Sequence, residues 1–161
     1  AGVRNLYDNP ERLGADRWAA LIGARHSHAG ACLVVTAGTA TTVDLLSAAG
    51  DFLGGLILPG VELMQQALAR GTAQLPLAEG RFAWQPRRTV DAIRSGCLQA
   101  QTGAVERMFR QIAAQPDALC LLGGGAADSF ADLLEIPLRR IDNLVLTGLG
   151  TVATLSPTPT R

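Results

Sequence analysis

Small residues and hydroxyl groups are concentrated in the stretch Thr36-Ala-Gly-Thr-Ala-Thr-Thr42, which lies between two apolar runs. A turn of this composition can direct backbone N–H groups and hydroxyls toward phosphate oxygens, and its glycine lets an anion approach the backbone closely. An ordinary hairpin would also explain the threonines, because β-branched residues favour strands. Asp44 stands alone in the apolar segment that follows, and a buried carboxylate must be paired or hold a cation. This lone acid shifts the balance toward a phosphate or cation site.

The tetrapeptide Gly14-Ala-Asp-Arg17 places an acid beside an arginine at the start of a predicted helix. In one interpretation, Asp16 caps the helix N-terminus and Arg17 is solvated in the first turn. In the other, Asp16 is a general base that takes a proton from a hydroxyl nucleophile, and Arg17 binds a carboxylate or phosphate through paired hydrogen bonds. The residues alone favour the cap, and both interpretations stay open.

Consecutive glycines at Gly123, Gly124 and Gly125 join an apolar run to a predicted helix. Such a junction suits a nucleotide, because side chains are absent where the base or ribose would lie and the helix N-terminus is free. A tight turn between strand and helix would explain the glycines equally well. The later stretch Gly148-Leu-Gly-Thr-Val-Ala153 matches a dinucleotide fingerprint. It lies within a helical pattern, and too few residues follow it for the acidic ribose ligand, so a Rossmann site is excluded there.

Apolar periodicity and turn residues place these candidates on alternating elements. A helix is predicted after Asp16, and a meander of neighbouring strands then precedes an alternation of helices and strands. The predicted strands cover 31–36, 41–47, 52–58, 118–122 and 139–141, and the later helices cover 61–70, 88–114, 126–134 and 143–155. This order indicates an α/β fold. It is also the order in each half of the actin-like, ribonuclease-H-like fold of acetate and sugar kinases, in which two halves close over a nucleotide.

Composition limits the classes of function. A chain of 161 residues that is 48% hydrophobic and 17% charged predicts one folded domain, over 1–155, with a disordered tail over 156–161. No apolar run reaches the roughly 18 residues of a membrane span. Lys and Arg number 14, as do Asp and Glu, so nothing indicates a nucleic-acid partner. Cys32, Cys97 and Cys120 lack metal-site spacing, which indicates buried, reduced thiols in a cytosolic protein.

The order of the motifs along the chain is far more specific than any one of them. The patterns are Tyr-x-x-Pro-x-x-x-Gly-x-Asp-Arg, Gly-Thr-Ala-Thr-Thr-x-Asp, Gly-Gly-x-Ile-x-Pro-Gly, Gly-Thr-Ala-x-Leu-Pro and Gly-Gly-Gly-Ala. They lie at Tyr7–Arg17, Gly38–Asp44, Gly54–Gly60, Gly71–Pro76 and Gly123–Ala126. In this order the chain resembles type III pantothenate kinase and the related Bvg accessory factor proteins, over almost its whole length to about residue 155.

The resemblance implies ATP-dependent phosphorylation of pantothenate to 4'-phosphopantothenate, the first step of coenzyme A biosynthesis. It also implies a cytoplasmic homodimer with a shared active site, Mg²⁺, and a monovalent cation such as K⁺ or NH4⁺. By position, Asp16 would be the catalytic base and Asp44 would hold the monovalent cation. The residues implied for pantothenate are Tyr7, Gly14, Arg17, Thr72 and Thr89, the two threonines reaching in from the partner subunit. The residues implied for the phosphates and adenosine of ATP are Gly38, Thr39, Thr41, Gly123, Gly124 and Gly125.

The chain departs from the family pattern in one respect. The family carries an N-terminal half with an Asp-x-Gly-Asn-Thr/Ser motif for the ATP phosphates and magnesium, and this sequence contains no match to it. We therefore expect this chain to supply the C-terminal half, with pantothenate binding and the catalytic base. One alternative is a non-catalytic regulatory or dimerisation module that uses the helix over 88–114 as a partner surface. Another, a different actin-like sugar or acetate kinase, is disfavoured by the Gly14–Arg17 and Gly71–Pro76 motifs.

Overall fold

The computed structural model describes residues 1–72, 75–76 and 79–155, and within them the chain forms one six-stranded sheet with helices on both faces. The strands are β1 (Arg4–Asn5), β2 (Cys32–Ala37), β3 (Ala40–Leu46), β4 (Asp51–Pro59), β5 (Leu119–Gly123) and β6 (Leu138–Arg140). The α-helices are α1 (Ala15–Ser27), α2 (Val61–Gly71), α3 (Thr89–Phe109) and α4 (Leu144–Leu155). Short 3-10 helices span Pro10–Arg12, Ala127–Ser129 and Ala131–Leu133. No helix of the described segments is long and apolar enough to cross a membrane.

The strands lie in the order β1-β4-β3-β2-β5-β6. β2, β3 and β4 form the antiparallel meander. β5 pairs in parallel with β2, and β6 pairs in parallel with β5. The central strands β2 and β5 are apolar runs because helices cover both of their faces. The predicted α/β meander is therefore confirmed. β1 was missed, since only Arg4 and Asn5 pair with β4 and so short a strand leaves no period in the sequence.

Strand alternation divides the core between the two faces of the sheet. α3 and the 3-10 turns over 127–133 pack with Leu33, Val35 and Leu122 on one face. Helix α1 and Leu144 of α4 pack with Val34 and Phe52 on the other. Asp44 pairs with Val34 across the β2–β3 ladder, so its side chain lies on the α1 face. The acid singled out in the sequence is therefore buried beneath α1.

Glycines bring the backbones of α1 and α4 into contact. A Cβ on Gly23 would lie 2.2 Å from the carbonyl oxygen of Leu144, and a Cβ on Gly148 would lie 1.8 Å from that of Ala19. Any side chain at either position would push the helices apart. The Gly148–Ala153 fingerprint therefore lies in a helix, as predicted, and its first glycine serves helix packing.

Two predicted helices differ in the structure. The helix over 126–134 is a pair of 3-10 turns, because Ser129 and Phe130 bond to carbonyls three residues back and the Ser129 hydroxyl donates to Ala126 O at 2.7 Å. α3 ends at Phe109, five residues before the predicted end. Ile112 continues the apolar pattern from within a turn, at 1% exposure, which explains the overextended prediction. The predicted tail over 156–161 lies outside the described residues.

Candidate functional site

An ion pair between Arg17 and Asp44 lies under the start of α1. Arg17 is 9% exposed and Asp44 1% exposed. The guanidinium donates from Nε to both carboxylate oxygens, at 3.2 and 3.1 Å, and from Nη2 to Oδ1. Its Nη1 donates to the Tyr7 hydroxyl at 3.1 Å. The sequence left Asp44 either paired or holding a cation, and the structure pairs it with Arg17.

Aromatic rings enclose the charged head of Arg17. Its Cζ lies 5.7 Å from the ring centroids of both Tyr7 and Phe52, and these rings are 5.3 Å apart. Ring faces attract a cation, and more strongly where water is excluded. The hydrogen bond with Asp44 raises the pKa of Arg17, so the guanidinium stays charged. Burial raises the pKa of Asp44, and the hydrogen bonds from Arg17 oppose that shift.

A glycine opposite Asp44 makes room for its carboxylate. Gly55 is the β4 partner of Asp44, and a Cβ there would lie 2.1 Å from Asp44 Oδ1 and 2.5 Å from the carbonyl oxygen of Val43. No side chain fits at that point without moving the carboxylate. The second glycine of the Gly54-Gly55 pair is therefore explained by the ion pair.

Asp16 and Arg17 face opposite ways from adjacent positions of α1. The helix begins at Ala15 with Gly14 as N-cap, and Asp16 is exposed in the first turn. The interpretation of Asp16 as the N-cap and of Arg17 as a solvated residue is therefore wrong. Arg17 lies one turn before Leu21, on the buried helix face, and that four-residue spacing was the overlooked signal. The carboxylate of Asp16 is left open to solvent.

A cavity of about 530 Å³ brings together Gly38, Thr39 and Gly125, which are far apart in sequence. Its walls include the first turn of α2, over 61–63. The N-cap of this helix is Gly60, which has no side chain to accept a hydrogen bond from the first N–H groups. The first N–H groups of a helix have no intrahelical partner, so this wall presents free donors. Arg94 of α3 also lines the cavity and was not singled out from the sequence, since only the packing of α3 on α2 brings it there.

The glycines after β5 lie against the end of β2. Gly124 has a φ of +97°, and a Cβ there would lie 2.2 Å from the carbonyl oxygen of Ala37. Gly123 and Gly124 line a neighbouring cavity of about 450 Å³, and Gly125 lines both cavities. The structure therefore joins the two glycine-rich segments at one end of the sheet.

The remaining candidate residues are three threonines. Thr41 is 1% exposed within β3, opposite Ala37. Thr72 follows α2, exposed, and its hydroxyl donates to Leu68 O at 2.7 Å. Thr89 is exposed at the start of α3. None of these threonines is among the described residues that line the two cavities.

Metal ligands are sparse in the described segments. No group of three or more His, Cys, Asp or Glu side chains there could hold a metal ion. Arg17 already supplies the positive charge beside Asp44. The role of Asp44 toward K⁺ or NH4⁺ stays a prediction.

Comparison with known proteins identifies the family. The type III pantothenate kinase family model matches residues 1–111. The type III pantothenate kinase of Aromatoleum aromaticum is 68% identical over 152 residues, which are 94% of this chain and 63% of that protein. The Azoarcus sp. (strain BH72) protein of that name is 62% identical, over 94% of this chain and 58% of its own. The chain thus spans about three-fifths of the length of these relatives.

Solved structures show the fold. A Baf family transcriptional activator from Campylobacter jejuni superposes with a TM-score of 0.70 at 23% identity, over 95% of this chain and 68% of that one. The apo psk41 ParM protein gives a TM-score of 0.51 at 11% identity, over 87% and 49%. The actin-like fold is therefore confirmed. By its sequence, this chain belongs to the type III pantothenate kinase family.

Proposed function

We propose that this chain is the pantothenate-binding and catalytic-base half of an enzyme that phosphorylates pantothenate with ATP to 4'-phosphopantothenate. Family membership supports the reaction class. The structural observation that carries the proposal is the cavity where Gly38, Thr39 and Gly125 meet the first turn of α2. Glycine-rich turns and helix N-termini bind phosphate through backbone N–H groups. This cavity is the proposed site for ATP.

Asp16 is the proposed general base, supported by its exposed position in the first turn of α1. In the proposed step its carboxylate takes the proton of the pantothenate hydroxyl as the hydroxyl oxygen attacks the γ-phosphorus of ATP. The bond to the bridging oxygen breaks and ADP leaves. Phosphoryl transfer requires positioning and charge stabilisation above all, so a single well-placed acid suffices on this side.

Tyr7, Gly14 and Arg17 are the proposed pantothenate contacts. A guanidinium has five N–H donors, and the bonds to Asp44 and Tyr7 leave donors on Nη1 and Nη2 for the substrate carboxylate. A Cβ at Gly14 would meet no described atom within 4 Å, so space for a ligand exists there. The ion pair with Asp44 would hold Arg17 ready before the substrate arrives.

A homodimer is the proposed assembly, with Thr72 and Thr89 reaching the partner's site. Both threonines are exposed, as a role in the opposite subunit requires. β4 lies beyond the reach of β1 after Phe52, and Leu53 and Ile57 are 50% and 65% exposed there. An apolar edge strand of this kind favours pairing with another surface. The proposed complete enzyme also contains the N-terminal half of the family and uses Mg²⁺ and a monovalent cation.

The deciding experiment is a pantothenate phosphorylation assay with ATP, Mg²⁺ and K⁺. Wild type is compared with Asp16→Asn and with Glu11→Gln, an exposed acid on the preceding 3-10 helix. Each is assayed as this chain and as a version extended with the family's N-terminal half. We expect turnover in the extended wild type and in Glu11→Gln, and a loss of about 100-fold or more in Asp16→Asn. Equal rates for Asp16→Asn and Glu11→Gln would refute the base assignment.

A non-catalytic dimerisation module is the second candidate, and the exposed apolar residues of β4 and α2 are the observation that favours it. These include Ile57 and Leu63. Such a module needs no acid at Asp16. An extended protein that is folded and dimeric but gives no turnover would support the module and exclude the kinase.

A further inference from the structure

We propose that Gln101 of α3 is a positioning residue for the nucleotide cavity, acting through the junction between β4 and α2. The inference rests on the proposed ATP site. Gln101 does not line that cavity among the residues described, and its contact with the cavity walls is indirect. Nothing in the motifs of the sequence singles it out.

The side-chain amide of Gln101 is fully buried, at 0% exposure. Its Nε2 donates to the carbonyl oxygen of Pro59 at 2.7 Å and lies 3.7 Å from Met64 Sδ. Its Oε1 is buried and accepts no hydrogen bond from the described residues. An unpaired buried carbonyl destabilises a fold, and an apolar side chain of equal length would avoid that cost. What Gln101 provides in return is the hydrogen bond that holds Pro59.

The Pro59–Gly60 segment supports the Gly38–Thr39 turn directly. Gly60 N donates to Thr39 O at 2.7 Å. A Cβ on Gly60 would lie 2.1 Å from the carbonyl oxygen of Gly38, so the two backbones are in contact. Since close-packed backbones transmit displacements, a shift at Pro59 would move the turn that lines the cavity.

The same junction sets the start of α2. Gly60 is the N-cap, and its carbonyl accepts the first helical bond from Met64 N at 2.9 Å. The first turn of α2 is the second wall of the cavity. Gln101 contacts both Pro59 and Met64, which flank this turn. One buried amide therefore links both phosphate-facing walls to α3.

The test compares Gln101→Met with Thr102→Val. Met has nearly the length of Gln and removes the hydrogen bond, whereas Thr102 is a buried neighbour whose hydroxyl bonds only within α3, to Leu98 and Gln99 carbonyls. Amide hydrogen exchange is measured at Gly60, and MgATP binding is measured by calorimetry on the same samples. For Gln101→Met we expect Gly60 to exchange at least about tenfold faster and the Kd for MgATP to rise about tenfold, with Tm close to that of Thr102→Val.

A second pair acts on the other side of the link. Gly60→Ala inserts a Cβ against Gly38 O, whereas Gly96→Ala, at an exposed position of α3, meets no described atom within 4 Å. We expect Gly60→Ala to weaken MgATP binding and Gly96→Ala to leave it unchanged. In the extended enzyme, Gln101→Met should raise KM for ATP and leave KM for pantothenate unchanged.

The possible failures are distinguishable. If Gln101→Met matches Thr102→Val in both Gly60 exchange and MgATP affinity, the positioning role is overturned while the ATP site stands. If wild type binds no MgATP in either form, the proposed function fails, and the nucleotide role of Gln101 fails with it. Faster Gly60 exchange with unchanged MgATP affinity would also overturn the proposal, because the junction would then be irrelevant to the cavity.

Discussion

At the scale of single residues, a buried ion pair joins α1 to β3. Arg17 and Asp44 are each nearly inaccessible to solvent, and removing one partner leaves the other as an unpaired buried charge. We expect Asp44→Asn to lower the free energy of unfolding by about 3–5 kcal/mol, measured by urea denaturation. Arg4→Gln is the control, because Arg4 pairs with Asp51 at the surface, with a side chain that is 72% exposed. Its loss should stay below about 1 kcal/mol.

The glycine opposite Asp44 gives a second residue-scale prediction. Gly55→Ala forces a Cβ to within 2.1 Å of Asp44 Oδ1, so strand or carboxylate must move. We expect a loss of about 1–3 kcal/mol in urea unfolding. Gly103→Ala on α3 meets no described atom within 4 Å and should instead stabilise by about 0.5–1 kcal/mol, because alanine is the better helix former. A stabilising Gly55→Ala would contradict the role given to this glycine.

Cysteine reactivity follows from burial. Desolvation raises the pKa of Cys32 and of Cys120 to about 12, and raises that of Cys97. The thiolate is the reactive form, and a raised pKa keeps a thiol protonated. At pH 8, a thiol reagent should therefore label the folded chain far more slowly than the chain in denaturant. Fast labelling of the native protein would show that these thiols are accessible.

At the scale of elements, the contact between α1 and α4 depends on backbone proximity. Gly148→Ala would place its Cβ 1.8 Å from Ala19 O, whereas Gly150→Ala, on the same helix, meets no described atom within 4 Å. We expect the first to destabilise by about 1–3 kcal/mol and the second to stabilise by about 0.5–1 kcal/mol. Thermal unfolding of the two variants checks the difference. Equal effects would mean that α4 does not contact α1 through Gly148.

Most elements could be predicted, because strand and helix periods are local properties of the chain. The meander and the helix at Gly148 follow from alternation and spacing, and the structure confirms both. The 3-10 turns after Gly125 could not be predicted from the sequence. They form in place of an α-helix because the Ser129 hydroxyl bonds to Ala126 O and because Ala126 N bonds to Ala37 O of β2. Arg17 shares the buried helix face with Leu21, so the sequence could have predicted that its side chain points inward. The sequence could not predict that Asp44 is its partner, because the two residues meet only after the sheet forms.

At the scale of the whole molecule, the two glycine-rich segments meet because β2 and β5 are parallel neighbours. The carboxyl ends of these strands lie at the same end of the sheet, where Gly38 follows β2 and Gly125 follows β5. The same topology places α1, with Asp16 and Arg17, on the opposite face from α2 and α3. The residues proposed for the nucleotide and for pantothenate are thus carried by elements on opposite faces of one sheet.

The exposed edge of the sheet gives the whole-molecule prediction. Ile57 is 65% exposed on β4, beyond the segment that β1 covers. Under the homodimer proposal, Ile57→Lys introduces a charge that must be desolvated in the interface, so it should shift the chain toward monomer. Sedimentation velocity at several concentrations measures this. Leu149→Lys on α4, at a side chain 54% exposed, is the control and should leave the association unchanged. If Leu149→Lys alone dissociates the dimer, the interface lies on α4 and β4 is not the contact, because a lysine acts only where its surface is buried.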